Sequence, residues 1–118
     1  MAAGVLFIGW GPAVVGREQQ ALKVFGEAVT YWTGLQQRGE ITSFEPVALE
    51  PHGGDLAGFA LLHGDQEQLS RLRLDSAFVD LNTRAQLVVT NFGVVMGYVG
   101  EGLNQLFAGF GKHAAELA

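Results

Sequence analysis

At 118 residues, nearly half of them apolar, the chain has the size of a single domain (1–118) with its own core, and no run reaches the roughly 18 uninterrupted apolar residues of a membrane span. A formal charge of −5, with seven Lys and Arg spread along the chain, gives no basic stripe for phosphates and so argues against nucleic acid and an anionic membrane surface as partners. The lack of cysteine excludes disulfides, thiolate metal sites and a cysteine nucleophile; with no basic residue in the apolar start Met1–Val15 to open a secretory signal, the expected location is cytoplasmic.

Val5 to Trp10 is a short apolar run bounded by Gly9, Gly11 and Pro12, and it reads as a buried first strand. Arg17 to Arg38 is the longest segment with a helical period. At about 100° per residue, Ala21, Leu22, Val24, Phe25, Ala28, Val29, Tyr31, Trp32 and Leu35 form one arc wide enough to cover a sheet. Arg38 suits the negative end of the helix dipole, and Gly39 can take the left-handed conformation that closes the last turn. Ile41 to Glu50 reads as a second strand, and Pro46, which cannot donate to a ladder, sends it to a sheet edge or a bulge.

Pro51 to Asp55 forms a hairpin connection to a third strand, Leu56 to His63, whose nearly continuous apolar content suggests a central position. Asp65, with Gln68 three residues on, resembles a capping box whose carboxylate serves as cap acceptor for a helix through Leu69 and Leu72, with Leu74 as an alternative end. Asp75 and Ser76 mark a break and a fresh cap before a second helical piece, Ala77 to Leu87. Phe92 to Val99 is the fourth strand. A short amphipathic tail helix carries Leu103, Leu106, Phe107 and Phe110, weakened by Gly109 and Gly111.

The order strand, helix, strand, strand, helix, strand resembles the ferredoxin-like βαββαβ arrangement, an α+β fold with a four-stranded antiparallel sheet, helices on one face and here a C-terminal helical tail. At this size the chain also resembles the dimeric α/β-barrel superfamily, in which two such sheets pack face to face. That superfamily includes cofactor-free monooxygenases, muconolactone-isomerase-like and stress-responsive proteins, and ligand-sensing domains. The resemblance rests on element order and carries over no catalytic residue. It implies two copies packed sheet to sheet and the sheet order fourth, first, third, second; no cofactor is expected.

Residue parity sorts each strand into two faces. Val5, Phe7, Gly9, Leu56, Gly58, Ala60, Gly93, Val95, Gly97 and Val99 make a mostly small face, expected under the helices. Leu6, Ile8, Trp10, Phe59, Leu61, His63, Phe92, Val94, Met96 and Tyr98 make a large face. Left open in a monomer, the large face would be an unusually big apolar patch, which dimerisation removes. Two sites then suggest themselves. His63 and Tyr98, as a catalytic pair inside the barrel, could move a proton on a small apolar or aromatic ligand held by Phe59, Leu61 and Met96. Trp10, His52 and Asp55 could line a barrel mouth.

Each of these residues has a plainer role: His63 as a turn residue at a strand end, Tyr98 and Trp10 as interface aromatics, His52 as a solvated loop side chain. His52 and Asp55 alone do not close a metal site, and no metal is expected. The spacing of Gly9, Gly11 and Gly16 does not fit a dinucleotide loop. Two functions remain, a small-molecule-binding barrel, with or without catalysis, and a non-enzymatic module for assembly or ligand sensing.

Overall fold

The computed structural model describes residues 3–118; of the sequence reading, only Met1 and Ala2 fall outside them. The elements are β1 (Ala3–Trp10), α1 (Glu18–Gln37), β2 (Ser43–Ala48), β3 (Gly58–Asp65), α2 (Gln66–Leu72), α3 (Ser76–Gln86), β4 (Gly93–Tyr98) and α4 (Gly100–Leu117). The sheet runs β2-β3-β1-β4 with every neighbouring pair antiparallel. Pro46 sits on edge strand β2, where its missing donor costs no ladder bond toward a further strand.

α1 is fixed at its end as its composition requires. Gly39 has φ +76°, and the N–H groups of Gly39 and Glu40 turn back to the carbonyls of Gln36 and Leu35. Ala28, Trp32 and Leu35 are buried against Leu6 and Ile8 of β1 and Ala60 and Leu62 of β3, and Val24 is buried on the same helix. Leu69, Leu72 and Phe78, from α2 and α3, complete this core. Asp65 and Asp75 stand at the N-cap positions of α2 and α3, yet neither side chain caps its helix. The Asp75 carboxylate instead accepts the Tyr31 hydroxyl at 3.3 Å, tying α1 to the start of α3.

The strand faces depart from the expectation based on side-chain size. Val5, Phe7 and Gly9 pair across β1–β3 with His63, Leu61 and Phe59, and across β1–β4 with Gly97, Val95 and Gly93, so these residues share one face. The core instead takes Leu6, Ile8, Val94 and Met96, with Trp10 and Phe92 packed against it. The large residues of β1 and β4 thus lie under the helices, where the core needs their volume. The glycines make room on the other face: a Cβ at Gly9 would stand 2.6 Å from the Phe7 ring, and one at Gly97 would stand 2.9 Å from Val5 Cγ1. Phe7 and Phe59 stack there at 5.4 Å.

α4 is longer than its glycines suggest, and none of its residues is buried. Among the described residues no helix is long and apolar enough to cross a membrane.

A candidate ligand cavity between the first helix and the sheet

Beyond Trp10 the chain leaves the sheet and forms a bracket with the segment after α3. Gly11 N–H donates to Thr90 O at 2.6 Å, Thr90 N–H to Pro12 O at 2.9 Å, and Val14 N–H to Val88 O at 2.8 Å. This bracket closes one end of the space between α1 and the sheet. α3 forms the side wall, held to α1 at two further points besides the Tyr31–Asp75 contact. Arg84 makes a two-pronged ion pair with Glu27, both contacts 2.9 Å, and Arg17 Nη1 donates to Leu87 O at 2.7 Å.

The cavity, open to the surface on one side, measures about 610 Å³, within the size range of small-molecule sites. Its walls are apolar. Ile8, Trp10 and Phe92 come from the sheet side, Val24, Phe25, Ala28 and Trp32 from α1, and Leu81 and Ala85 from α3. Trp10 meets Phe25 edge to face at 5.8 Å. Leu22 and Phe25 belong to the wall yet are 73% and 40% exposed, so the wall reaches the surface along this part of α1. Leu22 and Phe25 therefore lie in the apolar arc of α1 without being covered by the sheet.

Among the described residues the lining holds two polar side chains besides the indoles, Glu18 and Asn82. Both Glu18 oxygens accept the Gly16 N–H, at 3.1 and 3.2 Å. No histidine, tyrosine, lysine, serine or threonine lines the walls, so they offer almost nothing for acid–base work. Among the described residues no group of three or more metal-ligating side chains exists.

Of the residues singled out from sequence, Trp10 lines this cavity. His63 and Tyr98 are not brought together: His63 shares a face with Val5, whereas Tyr98 lies opposite Gly4, on the face of Leu6 and Met96. Their pairing assumed that β1, β3 and β4 present large residues to one face, and the register inverts that for β1 and β4. Phe59 and Leu61 stand with His63 on the face away from the core, while Met96 packs against the core. His52 stays in its turn, with Nε2 2.8 Å from Leu56 O and Nδ1 accepting the Gly54 N–H at 3.3 Å; neither it nor Asp55 reaches the cavity.

Sequence reasoning did not pick out Trp32 or Phe25 as cavity residues. The signal was present in Leu22 and Phe25, apolar positions at the margin of the α1 arc, but a wheel does not distinguish a residue over a sheet from one over a cavity.

No family model matches the chain, and no curated protein does. Solved structures do. A DABB family protein with a ferredoxin-like fold from Mesorhizobium loti superposes with a TM-score of 0.67 at 16% identity, over 85% of this chain and 98% of that one. The fold is ferredoxin-like. A dimeric ferredoxin-like protein of unknown function from Jannaschia matches with a TM-score of 0.60 at 12% identity, over 80% of this chain and 95% of that one. SnoaB, a cofactor-independent oxygenase from Streptomyces nogalater, matches with a TM-score of 0.56 at 13% identity, over 85% and 95% of the two chains. The resemblance to the dimeric α/β barrels read from element order thus holds at the level of the ferredoxin-like fold.

Proposed function

We propose that the protein is a homodimer that binds a small apolar or aromatic molecule in the cavity between α1 and the sheet. The observation that carries this reading is the cavity itself: about 610 Å³ with apolar walls, faced by both tryptophans of the chain. Dimerisation through the sheet face of Phe7, Phe59 and Leu61 is supported by the dimeric state of ferredoxin-like neighbours and by the absence of α1, α2 and α3 from that face. His63 on this reading belongs to the subunit interface.

A second reading, oxidation of the bound molecule without a cofactor, is supported by the likeness to SnoaB. With so few titratable groups in the walls, such chemistry would draw on the acidity of the bound molecule itself.

Native mass spectrometry of protein purified without added ligand tests the proposal, together with tryptophan fluorescence during titration with aromatic probes. A dimer carrying a defined adduct, with quenching by the probes, is the expected result. A dimer that carries no adduct and shows no quenching would leave an assembly module, and a clean monomer would remove the dimer.

A further inference from the structure

The inward stripe of α3 contains one residue that breaks its pattern. At about 100° per residue, Phe78, Leu81, Asn82 and Ala85 fall within one arc about 100° wide, with Asn82 about 40° from Phe78. Phe78 is buried, and Leu81, Asn82 and Ala85 are half-buried, whereas Thr83, Arg84 and Gln86 are exposed. Leu81, Asn82 and Ala85 all line the cavity. The Thr83 hydroxyl donates to Val79 O at 2.9 Å and Arg84 pairs with Glu27; among the described residues the Asn82 amide alone of these three has no hydrogen-bond partner. Asparagine is a poor helix former and a poor filler of an apolar stripe, so the fold gains nothing from it here, and such departures from local rules mark functional positions. We propose that Asn82 is the specificity-determining residue of the cavity, and that the ligand is a planar, uncharged ring system with a hydrogen-bond donor and acceptor side by side, as in a lactam. This deepens the reading that the cavity binds a small molecule and rests on it.

Three features narrow the ligand class. A carboxamide carries an N–H donor and a carbonyl acceptor, and a lactam edge matches both in one planar pair. Trp10, Phe25 and Phe92 give the walls aromatic faces and edges against which a planar ring system packs. The amide brings no countercharge, and Glu18, the one ionisable side chain in the lining, is acidic, so a neutral group suits the site better than a carboxylate. The cavity is open along Leu22 and Phe25 and Asn82 is half-buried, so water reaches the amide until a ligand covers it. A ligand that displaces this water without replacing both hydrogen bonds leaves a polar group desolvated and unpaired, which is how a polar wall residue discriminates between analogues.

The test uses the intact protein with isotope-labelled asparagine, whose side-chain amides come from Asn82, Asn91 and Asn104. An Asn82→Leu variant assigns the Asn82 signal. The probes are 2-quinolone, its N-methyl derivative, which lacks the donor, and naphthalene, which has neither polar group; one NMR titration of each reads affinity and contact together. The expected result is that all three bind, that 2-quinolone binds about tenfold more tightly than its N-methyl derivative, and that 2-quinolone moves the Asn82 amide protons downfield while naphthalene does not. In Asn82→Leu the preference between the two quinolones should vanish while naphthalene still binds, which separates hydrogen bonding from the bulk of the methyl group. Should that variant fold poorly, the Asn82 resonance of the parent protein still decides. Equal affinity of the parent for the two quinolones with an unmoved Asn82 resonance, or a preference that persists in Asn82→Leu, would overturn the role of Asn82 and leave the cavity reading standing. Failure of all three probes to bind would overturn the two together.

Discussion

At the scale of single residues, Gly58 shows how tightly the cavity wall is built. A Cβ there would stand 2.7 Å from the Val47 carbonyl oxygen and 2.8 Å from the Trp10 ring. The indole of Trp10 packs closely against Gly58, where no side chain intervenes. Gly58→Ala should destabilise the fold by about 1–3 kcal/mol, and, by pushing Trp10 toward Phe25, should weaken ligand binding as well; thermal melts and probe titrations of the variant check both effects. Tyr31 makes a prediction about pH. Burial, the charge of Asp75 and the hydrogen bond to it push the phenol up to about 12 from its ordinary 10.0. The folded state thus holds this proton where the unfolded state releases it, so the contribution is complete below pH 10 and is lost as pH rises toward 12. Because the pair is largely solvated, the effect should be no more than about 1 kcal/mol. Denaturant melts across that window should show a shallower alkaline loss of stability for Tyr31→Phe than for the parent; identical slopes would show that the Asp75 contact does not form in solution.

At the scale of elements, the sequence was most legible where one local rule set the outcome. Gly39 ends α1 because a left-handed residue is needed there, and Pro46 marks an edge strand because it lacks a donor. Strand faces were harder to read. In β1 and β4 both parities carry apolar residues, so alternation does not say which set is inside; the register with β3 and the volume needed under α1 decide it. The cavity was illegible for a related reason, since it lies where α1, α3 and the bracket after Trp10 meet, a junction of segments distant in sequence. α4 poses a different problem. Leu103, Phe107, Phe110, Ala114 and Leu117 are spaced by four and three residues in turn, an apolar stripe suited to packing on another surface. Yet Phe107 is 64% and Phe110 74% exposed. Only Leu103 of the stripe is half-buried on its own subunit, and in the proposed homodimer the rest of the stripe would pack on the partner copy. Truncation after Gly102 should therefore raise the dimer dissociation constant at least about tenfold, measured by sedimentation equilibrium, and an unchanged constant would detach α4 from the interface.

At the scale of the whole molecule, the shape and the surface point the same way. The radius of gyration is 16.3 Å, against about 13.5 Å for a compact domain of this length. The principal extents of 52 × 37 × 23 Å describe a flattened, elongated body. A single sheet layer covered by helices on one side leaves its other side to water, and here that side carries Phe7, Phe59, Leu61 and Val95. A patch of this kind is stable in a soluble protein when a second copy covers it, and a two-fold axis through the patch would bury both copies of each residue at once. Val95 offers the cleanest test, because it is 56% exposed and lies directly across from Phe7, so a charge there costs the folded monomer little. Val95→Glu would bring two like charges into an apolar contact. The variant should keep its circular dichroism spectrum and cavity binding while shifting to monomer at concentrations where the parent is dimeric. Because the cavity lies on the opposite side of the sheet, retained binding by this monomer would show that each subunit carries a complete site. A Val95→Glu protein that stays dimeric with unchanged affinity would place the interface elsewhere, with α4 as the next surface to test.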